Sequence, residues 1–218
     1  MKNLVAVALA LGFACLGTDA VGQGVLFDFD AGPVHAPLPV DQMAGGITAH
    51  LSSTGAGGYA IQPADSLGFT PVGFAGNCVY PSAVYAADLL IAFDRELTAI
   101  SLLYAPEEYA TDTSATLRIT AYLGAALVGT NTATAEPGTW PSATLAFAGA
   151  QPFDNVVVHY DSPPPTGGDY GPIFMVDNVL VTPAPEPSAV ASGAAGLCAV
   201  AAVRGARPRQ RRSMNSIL

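Results

Sequence analysis

Apolar and polar residues alternate with a period of two along most of this 218-residue chain, and residues 25–183 sustain no helical period. Val25-Leu26-Phe27-Asp28-Phe29-Asp30 reads as a first strand, with Phe27 and Phe29 on one face and Asp28 and Asp30 on the other. A Pro/Gly-rich stretch over 31–46 reads as loop, followed by a strand over 47–52. Residues 55–84, dense in Gly and Pro, read as mostly loop with one or two short strands. Strands are expected over 88–93 and 97–104, around an Asp94-Arg95-Glu96 turn. Residues 115–123 and 127–135 form a hairpin about Gly124-Ala125-Ala126. In its first arm Leu117, Ile119, Ala121 and Leu123 point inward, and Arg118, Thr120 and Tyr122 outward. Strands over 143–147, 155–160 and 173–181 complete the set. Some nine short strands with polar outer faces predict an all-β fold, a single antiparallel β-sandwich.

The two ends break the alternation. Lys2, an apolar run from Leu4 to Leu16 and the small residues after it have the layout of a signal peptide over residues 1–24, cut by signal peptidase. Cys15 lacks the upstream Leu that lipidation needs. At the other end, Pro185-Glu186-Pro187 precedes an uncharged Ala/Gly-rich segment over 188–203, and a basic tail over 204–218 carries Arg204, Arg207, Arg209, Arg211 and Arg212. Arginines are retained on the cytoplasmic side of a bilayer, so the chain before Ser188 is expected outside. Sixteen helical residues reach roughly 24 Å against a ~30 Å hydrocarbon core, which makes a marginal, transient anchor. The order and spacing of the segment over 184–218 resemble the PEP-CTERM sorting signal. That resemblance implies processing by an exosortase, a place at the cell surface or in the extracellular matrix, and association with exopolysaccharide. Ser213–Leu218 extend the tail past the arginines, where family members commonly stop sooner. An uncut tail anchor is the alternative.

Charge narrows the partners of the domain over 25–183. It holds fifteen Asp and Glu against Arg95 and Arg118, a formal balance of −13. Phosphate contacts need Lys and Arg, so nucleic acid and anionic membrane are excluded as partners. Cys78 is the only cysteine of this stretch, so no disulfide closes within it, and it reads as a half-buried bystander. The runs Phe153-Asp154-Asn155-Val156-Val157-Val158 and Phe174-Met175-Val176-Asp177-Asn178-Val179 resemble the closing strands of secreted bacterial jelly-roll domains. Those include galactose-binding-like and carbohydrate-binding sandwiches, so the resemblance implies a jelly roll.

Candidate chemistry is sparse. If first and last strands are neighbours, Asp177 approaches Asp28 and Asp30. Three clustered carboxylates repel unless protonated or neutralised, and hard oxygen ligands suit Ca²⁺. A structural calcium at Asp28, Asp30 and Asp177 is what the jelly-roll resemblance implies; solvated carboxylates are the alternative. Glu107 and Glu108 are adjacent in one loop rather than opposed across a substrate, the arrangement glycoside hydrolysis needs. His35, His50 and His159 have no metal-ligand spacing, and no nucleophile elbow accompanies them. No catalytic residue is assigned. Trp140, the only Trp, lies in a turn, where it serves as a sugar-stacking ligand residue or as a cap on the core. Two readings follow: a non-enzymatic structural protein of the exopolysaccharide layer, or a carbohydrate-binding module. A glycan-active hydrolase would need a cleft with opposed carboxylates.

Overall fold

The computed structural model describes residues 23–54, 58–66, 68, 70–82, 87–107, 114–161 and 173–185. Nearly all of the expected signal peptide, and the tail from Glu186 onward with its five arginines, lie outside them. Among the described residues no helix is long and apolar enough to cross a membrane.

Eleven strands form: β1 Val25–Phe27, β2 Ala36–Pro37, β3 Val40–Ala44, β4 Ile47–Ser53, β5 Tyr59–Pro63, β6 Asn77–Pro81, β7 Leu89–Pro106, β8 Thr116–Leu123, β9 Ala126–Thr134, β10 Ala143–Tyr160 and β11 Phe174–Pro183. Every pairing is antiparallel, and hydrogen bonds join them all into one sheet. The sheet closes on itself as a sandwich because β7 and β10 are each 18 residues long and change neighbours midway. The first half of β7 pairs with β4 and the second half of β10, which continues to β8 and β9. The second half of β7 pairs with β11 and the first half of β10; β1 and β6 flank β11. The fold is thus an all-β antiparallel sandwich whose layers share two continuous strands.

A slip in the period-two pattern makes the layer change. Leu89, Ile91, Phe93 and Leu97 are buried at odd positions of β7, then Ile100, Leu102 and Tyr104 at even ones. In β10, Phe147 and Phe153 give way to Val156 and Val158, and in β11 Val176 gives way to Val179 and Val181. Register shifts accompany the slips in β10 and β11. An extra residue in one strand bends it and reverses which face its side chains take. In β11 the odd residue is Asn178, whose φ of 50° is in the left-handed region that Asn tolerates.

Several expectations are corrected here. Asp94-Arg95-Glu96 is no turn between separate strands but lies within β7, and 143–147 and 155–160 are one bent strand. Residues 31–46 are not loop throughout: β3 pairs with β4 through Gly45-Gly46, whose φ values of 53° and 75° suit a type I′ hairpin turn. β1 ends at Phe27, and Phe29 takes a φ of 61°, so Asp28 and Asp30 leave a turn rather than a strand face. Leu123 is 37% exposed rather than inward, although Leu117, Ile119 and Ala121 are fully buried as expected.

One core cluster joins both layers, with Phe27 packed against Phe93 across them and Phe174 between Tyr59 and Tyr160. Tyr104 is fully buried in it, and its hydroxyl donates toward the carbonyls of Ala115 (3.1 Å) and Ala133 (2.7 Å). Burial pushes its pKa up to about 12, so the donor form is the one present. Tyr104→Phe removes the hydroxyl donor from the Ala133 carbonyl, while the Ala115 carbonyl keeps the Ala135 N–H (2.8 Å), and is expected to lower stability by about 1 kcal/mol in urea unfolding. An unchanged midpoint would mean the strand ladder satisfies the Ala133 carbonyl already.

Candidate functional site

Two places on the domain concentrate polar side chains. The first lies where the loop between β5 and β6 folds over the bulge in β11. Antiparallel pairing of β1 with β11 brings Asp28 and Asp30 toward Asp177, as the sequence predicts. Asp177 is 1% exposed, the one charged residue among the buried ones described. Its Oδ2 accepts from the Ala75 N–H (3.2 Å) and its Oδ1 from the Asn178 N–H (2.7 Å). Asp30 accepts from the Asn77 N–H (2.7 Å), and Asp28 from the N–H of Asp30 (3.2 Å). Burial raises the Asp177 pKa to about 6; the two amide donors oppose the rise, and the charges of Asp30 and Asp28 add to it. Backbone amides are therefore the partners these carboxylates have. Among the described residues no three His, Cys, Asp or Glu side chains converge on a point that could hold a metal ion.

Beside this corner a second, smaller cluster packs outside the main core: Ala64, Phe74, Cys78, Tyr80, Ala105 and Met175. Cys78 is fully buried rather than half-buried, and desolvation, with Asp177 adding to it, drives its thiol pKa far above the usual value. A thiol so held is no nucleophile. Trp140 lies half-buried against this cluster, and its indole N–H donates to the Pro106 carbonyl (2.6 Å). Trp140 is thus anchored against the smaller cluster at this end of the sandwich. Glu107 accepts from the Tyr80 hydroxyl (3.0 Å). Glu108 lies outside the described residues.

The second place is the outer face of the layer built from β3, β4, the first half of β7, the second half of β10, β8 and β9. Register sets its side chains in rows. Asp41 stands opposite His50, His50 opposite Ala92, Ala92 opposite Asn155, and Asn155 opposite Tyr122. A parallel row runs through Ser52, Leu90, Val157 and Thr120. His50 Nδ1 is 2.7 Å from Asp41 Oδ1. Asn155 donates through Nδ2 to the Gly124 carbonyl (3.0 Å) and to Asp154 Oδ1 (2.7 Å), which fixes its amide plane. Between the rows is a depression of about 350 Å³, lined by Ser52, Leu90, Ala92, Gly124, Asp154 and Asn155 among others. At the edge of the face His159 sits 2.6 Å from Asp88 and 3.5 Å from Asp161, and Arg118 pairs with Asp161 at 3.1 Å.

The opposite outer face differs in kind. Leu26, Leu180, Ser101 and Ala146 stand in one row across β1, β11, β7 and β10, with Thr182, Ala99 and Ala148 in the next. These two rows carry no ring and no charge. At the edge of this face Asn131 of β9 spends its amide on the Ala146 carbonyl (2.7 Å), closing the free side of β10. Gly129 allows this approach, since a Cβ there would meet the Phe147 ring at 2.9 Å.

None of the row residues was singled out as a ligand residue from the sequence. Alternation alone turns Tyr122 outward, but which residues lie beside it depends on long-range register.

No protein-family model matches the chain, and no curated protein matches it. Among solved structures, the K1 cleaved adhesin domain of Lys-gingipain from Porphyromonas gingivalis W83 is similar at 13% identity, covering 75% of this chain and 99% of that one, with a TM-score of 0.45. The K2 cleaved adhesin domain of Lys-gingipain gives 12% identity over 73% of this chain and 99% of that one, with a TM-score of 0.46. A point mutant of a family 29 carbohydrate-binding module gives 11% identity over 73% of this chain and 92% of that one, with a TM-score of 0.35. Likeness at this level assigns neither a ligand nor an activity to this chain.

Proposed function

We propose that this chain is an exported, non-enzymatic protein of the bacterial cell surface or extracellular matrix, sorted by an exosortase and associated with exopolysaccharide. The observation that carries the reading is the junction between the fold and the tail. The last strand ends at Pro183, and the Ala184 N–H donates to the Glu96 carbonyl (2.8 Å), tying the end of the domain down. Pro185 then stands exposed. The Pro185-Glu186-Pro187 motif thus begins directly after the last residue tied to the fold, at the start of the tail. The apolar segment over 188–203 and the arginines from Arg204 supply the transient anchor and the cytoplasmic stop. The acidic balance of −13 suits a domain kept soluble among neutral polysaccharides.

The test is expression of the full chain in a host with and without an active exosortase, followed by mass spectrometry of its C-terminus. Cleavage near residue 187 and release from the inner membrane are expected only with the enzyme, and are lost when Pro185, Glu186 and Pro187 are all replaced by alanine. A full-length, membrane-retained product in both hosts would sink the sorting reading and leave a plain tail anchor.

A further inference from the structure

We infer that the outer face carrying the Asp41–His50–Ala92–Asn155–Tyr122 row is a binding surface for a neutral, extended polysaccharide, lying across the strands rather than along them. The inference rests on the exopolysaccharide association proposed above and gives it a place on the molecule.

The five row residues stand on five successive neighbouring strands, so the row spans roughly 19 Å at ~4.8 Å per step. That step is close to the length of one sugar unit in an extended chain. A polymer crossing the strands therefore meets a new side chain about once per sugar.

Chemistry selects the same occupant. A pyranose has apolar C–H faces and a rim of hydroxyls, so its site needs an apolar floor, polar edges and a ring to lie on. Leu90, Ala92 and Val157 make the floor at the centre of the face. Asp41 and the Oδ1 of Asn155 supply acceptors around it, and His50 its second ring nitrogen. Both N–H bonds of Asn155 are spent on Gly124 and Asp154. Tyr122 supplies the ring. These polar groups are pre-oriented: Asp41 fixes the His50 imidazole, and two contacts fix the Asn155 amide. Groups held in place lose little freedom on binding, which favours affinity.

Charge decides between neutral and acidic polymers. Asp41 and Asp154 border the face, within a domain of formal charge −13. A uronic-acid or sulfated chain would be repelled, whereas hydroxyls donate readily to these carboxylates. The opposite face has a depression of about 420 Å³, but its amide, Asn131, is spent on the Ala146 carbonyl and its ring, Phe147, is buried, so it presents no open ring for a sugar to lie on.

Affinity electrophoresis of the full chain through gels containing hydroxyethyl cellulose, glucomannan, xylan or alginate tests this. Retardation is expected in at least one neutral polymer and not in alginate. Tyr122→Ala should weaken it at least tenfold. Ala92→Arg should do the same by projecting a long side chain from an exposed position, with no core contact to lose. Ala146→Arg, on the opposite face, should leave retardation unchanged. Wild-type retardation that survives both Tyr122→Ala and Ala92→Arg would overturn the assignment of this face while leaving polysaccharide association standing. Retardation in none of the neutral polymers would remove the association itself.

Discussion

Replacing Phe153 by alanine is expected to lower the stability of the domain by about 3–5 kcal/mol, the range for deleting a fully buried aromatic ring. Phe153 has no exposed surface and lies edge-on to Phe147 at 5.4 Å. It also pairs in register with Leu97, itself fully buried. Leu97 and Phe153 each stand at the last position before the alternation slips, one in β7 and one in β10. The cavity therefore opens where the two continuous strands bend from one layer to the other, and neither strand can shift to fill it without losing register. Urea unfolding of wild type and Phe153→Ala measures the loss. A value near or below about 1 kcal/mol would mean the bend collapses freely, so that it is not held by packing.

Asp177→Asn is expected to flatten a pH dependence of stability that the wild type carries between about pH 4 and pH 7. The folded-state pKa of Asp177 is about 6 against 3.8 for a free side chain, because burial and the charges of Asp30 and Asp28 disfavour ionisation. The folded protein therefore holds a proton between pH 3.8 and about 6 that the unfolded chain has released. Stability falls as pH rises through that window and stays lower above it. After allowance for screening by nearby water, the penalty is about 1–2 kcal/mol. An amide of the same size removes this penalty. Its NH2 then faces one of the two backbone N–H donors, at a pH-independent cost of about 1–3 kcal/mol, so the slope with pH is the readout and not the absolute stability. Wild type should thus lose stability between about pH 4 and pH 7, and Asp177→Asn should lose less over the same range. Calcium and chelator arms sharpen the result. A calcium-dependent rise in wild-type Tm, lost in Asp177→Asn, would mean that the corner gathers a cation after all.

Much of this fold was legible because burial follows alternation, and alternation is local. Leu117, Ile119 and Ala121 face inward as their spacing requires. The pairing of β1 with β11 meets the condition on which the approach of Asp177 to Asp28 and Asp30 depended. What escaped was non-local or masked by glycine and proline. β2 and β3 carry Pro37 and largely exposed side chains, so they read as loop, although Gly45-Gly46 before Ile47 was a hairpin signal. The charged triplet Asp94-Arg95-Glu96 looked like a turn, yet a strand runs through it because neighbours on both sides hold it. The amide partner of Asp177 at Ala75 comes from a loop about a hundred residues away, which no local pattern announces. The polysaccharide face was the least legible part. Its row joins residues from five strands, and no single segment contains more than one of them.

The slips in β7, β10 and β11 impose a parity rule on length. From Leu97 to Ile100, from Phe153 to Val156 and from Val176 to Val179, consecutive inward residues are three positions apart instead of two or four. Removing one residue from any of these intervals would restore even spacing, erase the bulge and straighten the strand where it bends from one layer into the other. Removing or adding two would keep the faces and change only the bend. The three long strands of this domain can therefore change length only in steps that leave odd and even undisturbed.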